Sequence, residues 1–346
     1  MSSRSPVDPA TTGKGKTTVK IMTEQKVRWG IVGPGGIAAQ FAKDLPLVAG
    51  AELAAVGSRS RETAVAFAER NGFARAHGSY ADLAADPDVD VVYIATPHAQ
   101  HFDAALLCIE AGKAVLVEKP ITLDLASAAR LVQAAHAHDV FLMEAMWMRF
   151  NPAVRKIHEL VEEGAIGWVS AIHADFGLAG PFPPEHRLRN PALGGGALLD
   201  LGVYPINLAH LFLGSPAAVR SWAHLTPEGV DENTGVLLGW QPGAVAALTC
   251  SINGESRTAA SITGTEGRID LPPNFFVPRE FTLTRSGKAP ETYHFPFEGN
   301  GYQFEAAEVQ RCILAGELES PLMPHATTFE IMGLLDTIRE EIGVTY

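Results

Sequence analysis

The sequence predicts an α/β fold in two parts: a parallel sheet covered by helices on both faces, then an α+β region built round a largely antiparallel, open sheet. Three observations carry this prediction. Short, near-continuous apolar runs alternate with amphipathic segments from residue 27 to residue 145, the pattern of strands buried on both faces. Beyond residue 150 the hydrophobic period becomes two, in pieces separated by Pro- and Gly-rich loops, which suits antiparallel strands. The 346 residues are 47% hydrophobic and 19% charged, enough for about two domains, each with its own core.

Each element follows in order. VRWGIVG (27–33) is the first strand, followed by glycines and the amphipathic IAAQFAKDL. ELAAVGS (52–58) is the second strand, and RETAVAFAERNG a helix stopped by Gly72. VDVVYIAT (89–96) is the third clear strand, with a helix HFDAALLCIEAG ending at Gly112. AVLVEKP supplies a fourth strand, LASAARLVQAAHAHD a helix and VFLMEA (140–145) a fifth strand. NPAVRKIHELVEEGAIG is then a helix stopping at Gly164. WVSAIHADF, TGVLLGW, GAVAALTCSI and REFTLTR read as antiparallel strands, and residues 327–342 form a closing helix. The domains predicted are a nucleotide-type domain over 26–146 and an α+β domain over 147–346, preceded by an extension, 1–25.

Composition narrows the function. A net charge of −12 and a pI near 5.5 disfavour nucleic acid or an anionic membrane surface as a partner. Cys108, Cys250 and Cys312 form no CxxC pair and read as reduced, buried thiols of a cytoplasmic protein. No apolar run approaches the roughly 18 residues of a membrane span. The first 25 residues are rich in Ser, Thr, Lys and Pro and lack an apolar signal-peptide region, so they read as disordered. Met22 sits just before the first strand, which makes the first 21 residues an extension or an upstream start. Gly15-Lys16-Thr17 lacks both the first glycine and the preceding strand of a phosphate loop.

GIVGPGGIAAQ sets Gly33, Gly35 and Ala38 as G-x-G-x-x-A between a strand and a helix. Gly33 permits the tight turn, Gly35 lets backbone approach a pyrophosphate, and Ala38 lets helix and strand pack closely. The helix N-terminus, opened by Gly36 and Ile37, then binds the anion. An NAD site would place an acidic residue at the end of the second strand. Ser58 and Arg59 stand there instead: the serine can hydrogen-bond a ribose 2′-phosphate and the arginine can pair with it or stack on adenine. The cofactor predicted is NADP, with NAD possible.

The fourth strand ends in Glu118-Lys119-Pro120. Ligands of an open parallel sheet bind beyond the carboxyl ends of its strands, so Glu118 and Lys119 fall where a nicotinamide would lie. A lysine there can hydrogen-bond a substrate hydroxyl and stabilise the alkoxide formed as hydride leaves. Pro120 stops the ladder. With the glycine turn and GGGALLDLGVYPINLAHLF (194–212), this segment resembles the Gfo/Idh/MocA family of NAD(P)-dependent oxidoreductases from about residue 26 onward. FLMEAMWMRFNP, GYQFEAAEVQRCI and ESPLMP look most like the branch containing dimeric dihydrodiol dehydrogenase and NADP-dependent D-xylose dehydrogenase.

The resemblance implies a Rossmann domain, substrate binding and oligomerisation by the domain over 147–346, with a homodimer or higher oligomer through its sheet, and Lys119 as the catalytic lysine. It places Asp200 and Tyr204 on the family's Asp-x-x-x-His pattern, with tyrosine where histidine is more common, which moves the acid/base role to Tyr204. On a helix, residues four apart share one face. An ammonium such as Lys119 nearby would lower the tyrosine from its usual range near pH 10 towards that of a general base.

Other residues border the same region. Thr96 and Pro97 read as an N-cap and first helical residue beside the cofactor. His98 and His101 have a metal-like spacing but no accompanying ligand set, so no metal is predicted and His101 is read as a polar contact near the cofactor. Trp147, Arg149 and Phe150 follow the fifth strand, and Arg187 and Arg189 lie on the loop before Asp200. The cofactor set is therefore Gly33, Gly35, Gly36, Ile37, Ser58, Arg59, Thr96, Pro97, His101, Glu118, Lys119, Trp147 and Arg187, around the catalytic Lys119, Tyr204 and Asp200. The function predicted is hydride transfer between nicotinamide and the carbinol carbon of a sugar, cyclic polyol or trans-dihydrodiol. The alternative is a dinucleotide-binding regulator without chemistry, which has no need of that polar triad. A zinc alcohol dehydrogenase is disfavoured by the lack of ligand-spaced cysteines.

Overall fold

The computed structural model describes residues 26–346; the extension read for 1–25, with Gly15-Lys16-Thr17 and Met22, lies outside them. β1 (Val27–Val32), α1 (Gly36–Asp44), β2 (Ala51–Gly57), α2 (Arg61–Asn71), β3 (Arg75–His77), α3 (Tyr80–Ala84), β4 (Val91–Ile94), α4 (His101–Glu110), β5 (Ala114–Glu118), α5 (Leu125–Ala137) and β6 (Leu142–Ala145) follow in turn. The strands form one sheet in the order β3-β2-β1-β4-β5-β6, parallel throughout. That is the doubly wound order, whose direction reverses between β1 and β4 and opens a crevice there. β4 and β5 are buried at every position, which explains why they read as unbroken apolar runs.

The second part begins with α6 (Pro152–Glu162) and β7 (Val169–Gly177), then α7 (Val203–Leu213). β8 (Ala218–Leu225), β9 (Asp231–Gly239), β10 (Val245–Ser251), β11 (Ala260–Gly264), β12 (Gly267–Leu271), β13 (Glu280–Arg285) and β14 (Glu291–His294) complete the sheet before α8 (Tyr302–Ala315) and α9 (His325–Ile342). The eight strands order as β14-β13-β12-β11-β7-β10-β9-β8. Every pairing is antiparallel except β7 with β10. α7 and α9 pack on one face of this sheet. The other face carries Trp222, Leu237 and Val245 exposed.

Residues 302–342 return to the first sheet. α8 packs on α1, and α9 packs on α5 as well as on β8. Trp29 donates to Gln310 at 3.0 Å, and Leu142 N–H to the Leu318 carbonyl at 3.0 Å. The C-terminal stretch thus covers both sheets rather than the second alone.

Two local expectations are corrected. Thr96 does not cap a helix: a 3-10 turn, His98–Gln100, intervenes with Pro97 ahead of it, and α4 starts at His101. The stretch Pro191–Leu213 is long and apolar enough by composition to cross a membrane, with a mean hydropathy of 1.3. Yet 83% of its apolar window is buried inside the protein, because α7 is a core helix wedged against β7 and β10.

Candidate active site

The glycine turn ends β1. Gly33 has φ +84°, and a Cβ there would meet the Thr96 nitrogen at 2.8 Å, so both conformation and close approach demand glycine. A Cβ on Gly36 would meet nothing within 4 Å, and one on Gly35 only the Gly33 oxygen at 3.9 Å. Open space therefore lies above the turn. α1 starts there with no side-chain cap and no acidic residue in its first turn, which leaves its N–H groups and positive dipole end free for an anion. Gly33, Gly35, Ser58, Arg59, Thr96 and Pro97 line a cavity of about 380 Å³. The buried Thr96 hydroxyl has no partner. These features fit a dinucleotide with its pyrophosphate on α1 and its adenosine end towards Arg59.

Beside it, a cavity of about 410 Å³ is bordered by Gly35, Gly36, Ile37, Thr96, Pro97, His98, His101, Glu118, Lys119, Arg187, Asp200, Tyr204 and Tyr302. β5 aims Lys119 into it. Glu118 faces it too, with its carboxylate occupied by the Tyr93 hydroxyl and the Lys119 N–H. Burial raises the Glu118 carboxyl above its ordinary value. Behind the loop that follows Lys119, Glu144 accepts the Ile121 N–H at 3.1 Å, and burial pushes its carboxyl up to about 7.

Asp200 lies in a π-helical turn, Leu198–Gly202, just before α7. In that wider register its carbonyl would look five residues on, to Pro205, which has no N–H to give. Lys119 Nζ fills the gap, donating to the Asp200 carbonyl at 2.7 Å and to its Oδ1 at 3.3 Å. Arg187 grips the same carboxylate with both Nη atoms, each at 3.1 Å, and His98 Nε2 lies 3.5 Å from Oδ1. Burial alone would raise this carboxyl. Lys119, His98 and Arg187 outweigh it and hold Asp200 well below the usual carboxylate range.

Tyr204 is placed differently from the expectation. Lys119 Nζ lies 4.8 Å from the centre of its ring, over the face rather than at the oxygen. The hydroxyl oxygen accepts the Trp147 indole N–H at 2.8 Å. Burial, with the Glu118 charge adding to it, pushes the phenol well above its ordinary range, and the Trp147 hydrogen bond only partly opposes this. The lowering expected from Lys119 is overturned by desolvation.

The remaining residues divide. Trp147 lines neither cavity: it holds Tyr204 and stacks on Tyr302 at 4.3 Å. His101 is fully buried, with its ring nitrogens 2.8 Å from the Pro120 and Thr96 carbonyls. It clamps the ends of β4 and β5 together and keeps no polar atom for a cofactor. Burial lowers its pKa to about 3, so the ring is neutral and donates to only one of the two. Arg189 pairs with Glu228 at 2.6 Å, and the buried Arg149 binds Asn207 at 3.1 Å. Phe150 belongs to the core. His98 was missed as a site residue. Its signal was its place four residues after β4, masked by the resemblance of the His98/His101 spacing to a metal pair. Among the described residues no cluster of three potential ligands is arranged to hold a metal.

Comparisons with known proteins point the same way. The profile of the Gfo/Idh/MocA oxidoreductase family's NAD-binding Rossmann fold matches residues 27–146, and that of its C-terminal domain residues 154–270. The chain is 37% identical to a trans-1,2-dihydrobenzene-1,2-diol dehydrogenase of Danio rerio, over 92% of this chain and 98% of that protein. It is 36% identical to a D-xylose 1-dehydrogenase (NADP(+)) of Hypocrea jecorina, over 92% and 93% respectively. A 3-ketoreductase from Actinomadura kijaniata, solved with NADP and TDP-benzene, superposes with a TM-score of 0.81 at 29% identity, over 92% of this chain and 98% of that one.

Replacing Asp200 by Asn leaves Lys119 without its buried anion, at an expected cost of about 3 kcal/mol. A carboxyl held low in the folded state stabilises above its unfolded pKa of roughly 4. Urea unfolding should therefore show the full difference between wild type and D200N at pH 7, shrinking as the pH falls below about 4. A difference that does not change with pH would refute the ion-pair account.

Proposed function

The chain belongs to the Gfo/Idh/MocA oxidoreductase family, and on that premise we propose how its site works and what it prefers. The protein is an NAD(P)-dependent oxidoreductase acting on the hydroxyl-bearing carbon of a sugar, cyclic polyol or trans-dihydrodiol. The observation that carries the chemistry is the convergence of Lys119, Asp200 and Tyr204 on one cavity that also holds the glycine turn.

When bound, the nicotinamide supplies or accepts the hydride. Gly35 and Gly36 hold the pyrophosphate, while Ser58 and Arg59 meet the 2′-phosphate. Lys119 Nζ, fixed by Asp200, stabilises negative charge on the substrate oxygen. Tyr204 accepts from Trp147 and so has its own O–H to donate. With a phenol held high, it stays protonated across the neutral range, which suits delivery of its proton to the carbonyl oxygen in the reductive direction. Oxidation runs this step in reverse, so Tyr204 must first release its proton to solvent before it can take the one from the substrate hydroxyl, with the nearby ammonium offsetting the phenolate charge. Asp200 orients Lys119 and remains ionised throughout.

The testing experiment is the initial rate of NADP and NAD reduction across aldoses, inositols and trans-dihydrodiols. Wild type should turn over members of one class, and Lys119→Met should lower kcat by about a hundred- to a thousandfold with cofactor binding kept. Full activity in K119M would sink the assignment. NADP preference rests on the Arg59 loop. Arg59→Ala should weaken NADP about tenfold, the size of one charge-assisted hydrogen bond, and leave NAD affinity unchanged; equal loss for both cofactors would count against it.

The open face of the eight-stranded sheet is the proposed homodimer face of a cytoplasmic enzyme. Trp222 is 71% exposed and Leu237 50%, and the register puts Trp222 opposite Gly235 and Leu237 opposite Ala247 on that one face. An apolar patch on a sheet marks an association surface. Sedimentation should find dimers for wild type and monomers for Trp222→Glu; a wild-type monomer would remove the proposal.

A further inference from the structure

Asp44, the last residue of α1, is fully buried and lines neither of the two cavities. Its carboxylate accepts from four donors at the start of α8: Asn300 N, Asn300 Nδ2, Gly301 N and Tyr302 N, at 2.8–3.0 Å. A Cβ on Gly299 would lie 2.6 Å from Asp44 Oδ1, so the chain is drawn tightly over this one side chain. A buried carboxylate fully used by N–H donors is a strong, geometrically exacting anchor.

What the anchor holds is Tyr302. Tyr302 borders the cavity and stacks on Trp147 with ring centres 4.3 Å apart and planes 13° from parallel. A Cβ on Gly301 would come within 3.1 Å of the same indole ring. Trp147 in turn donates to the Tyr204 hydroxyl. An unbroken line of contacts therefore runs from the C-terminal end of α1 through Tyr302 and Trp147 to the proton-transferring oxygen. The N-terminal end of that helix is the pyrophosphate site.

We propose that Asp44 is a positioning residue for catalysis: through Tyr302 and Trp147 it sets the place of the Tyr204 hydroxyl relative to the helix that binds the cofactor. The proposal rests on the role given to Tyr204 above. It predicts that loosening Asp44 harms the proton-transfer step far more than cofactor binding, because the pyrophosphate sits at the opposite end of α1.

The test uses the full-length protein labelled with fluorotryptophan, whose five tryptophan signals include one assigned to Trp147 by its loss in W147F. In Asp44→Asn, which turns donor against donor at this site, the Trp147 fluorine resonance should shift and broaden while those of the exposed Trp168 and Trp222 stay in place. Kinetically, kcat should fall by about ten- to a hundredfold, with KM for NADP changed by less than about threefold. Asn300→Ala, which removes one donor of the four, should give the same two changes in smaller size and serves if D44N does not fold. An unmoved Trp147 resonance in the folded variant overturns the proposal, as does a kcat loss matched by an equal loss of NADP affinity. A wild-type protein inert towards every substrate would instead refute the function proposed above, and the resonance would still decide the clamp.

Discussion

The Asp200 carboxylate sits in the interior with an ammonium, a guanidinium and an imidazole around it, brought from three separate stretches of chain. A lone charge there would cost several kcal/mol. Its partners turn that cost into a constraint, because the carboxylate is tolerated only while Lys119 and Arg187 are near. Lys119 is supplied by the first sheet and Arg187 by the loop before α7, so the two halves of the molecule are registered on one anion. The cavity bordered by Lys119 and Tyr204 is the space left beside it.

That arrangement makes unequal use of its groups. Asp200 is locked as an anion and Tyr204 as a phenol, by opposite balances of the same two effects. Burial disfavours charge on both. Adjacent cations reverse this for Asp200, whereas at Tyr204 the nearby negative charges of Glu118 and Asp200 add to burial, and the Trp147 hydrogen bond opposes them only in part. Two acidic groups four residues apart thus hold different protonation states across neutral pH, the separation a proton-transfer site needs.

The scaffold behind the site is shared rather than divided. α8 leaves the second sheet and lies on α1, where Asp44 receives its first N–H groups, and α9 spans α5 and β8. The glycine turn, the strand-end lysine and Tyr204 are thereby held by elements that touch one another. Mutual orientation to a fraction of an ångström is what hydride and proton transfer require.

Much of the fold was legible because its signals are local. Buried parallel strands read as apolar runs, G-x-G-x-x-A marks a turn whose backbone only glycine can follow, and a strand end in a parallel sheet points at the ligand side. Short polar pieces such as β3, and strands with weak alternation such as β11 and β12, carry no comparable pattern and went unread. Of the site, Lys119, Asp200 and Tyr204 stood out by motif, and the structure brings them to one cavity. The pairings that hold those residues did not stand out. His98 beside Asp200, Trp147 on the Tyr204 hydroxyl and Asp44 under Tyr302 depend on contacts between residues 57 to 258 positions apart. No local periodicity encodes such contacts. The sequence alone determined which chemical groups are available and on which strands and helices they ride. Tertiary packing decided which of them meet, how deeply they are buried and hence which carry a proton, because desolvation and long-range pairing exist only once the chain has closed around them.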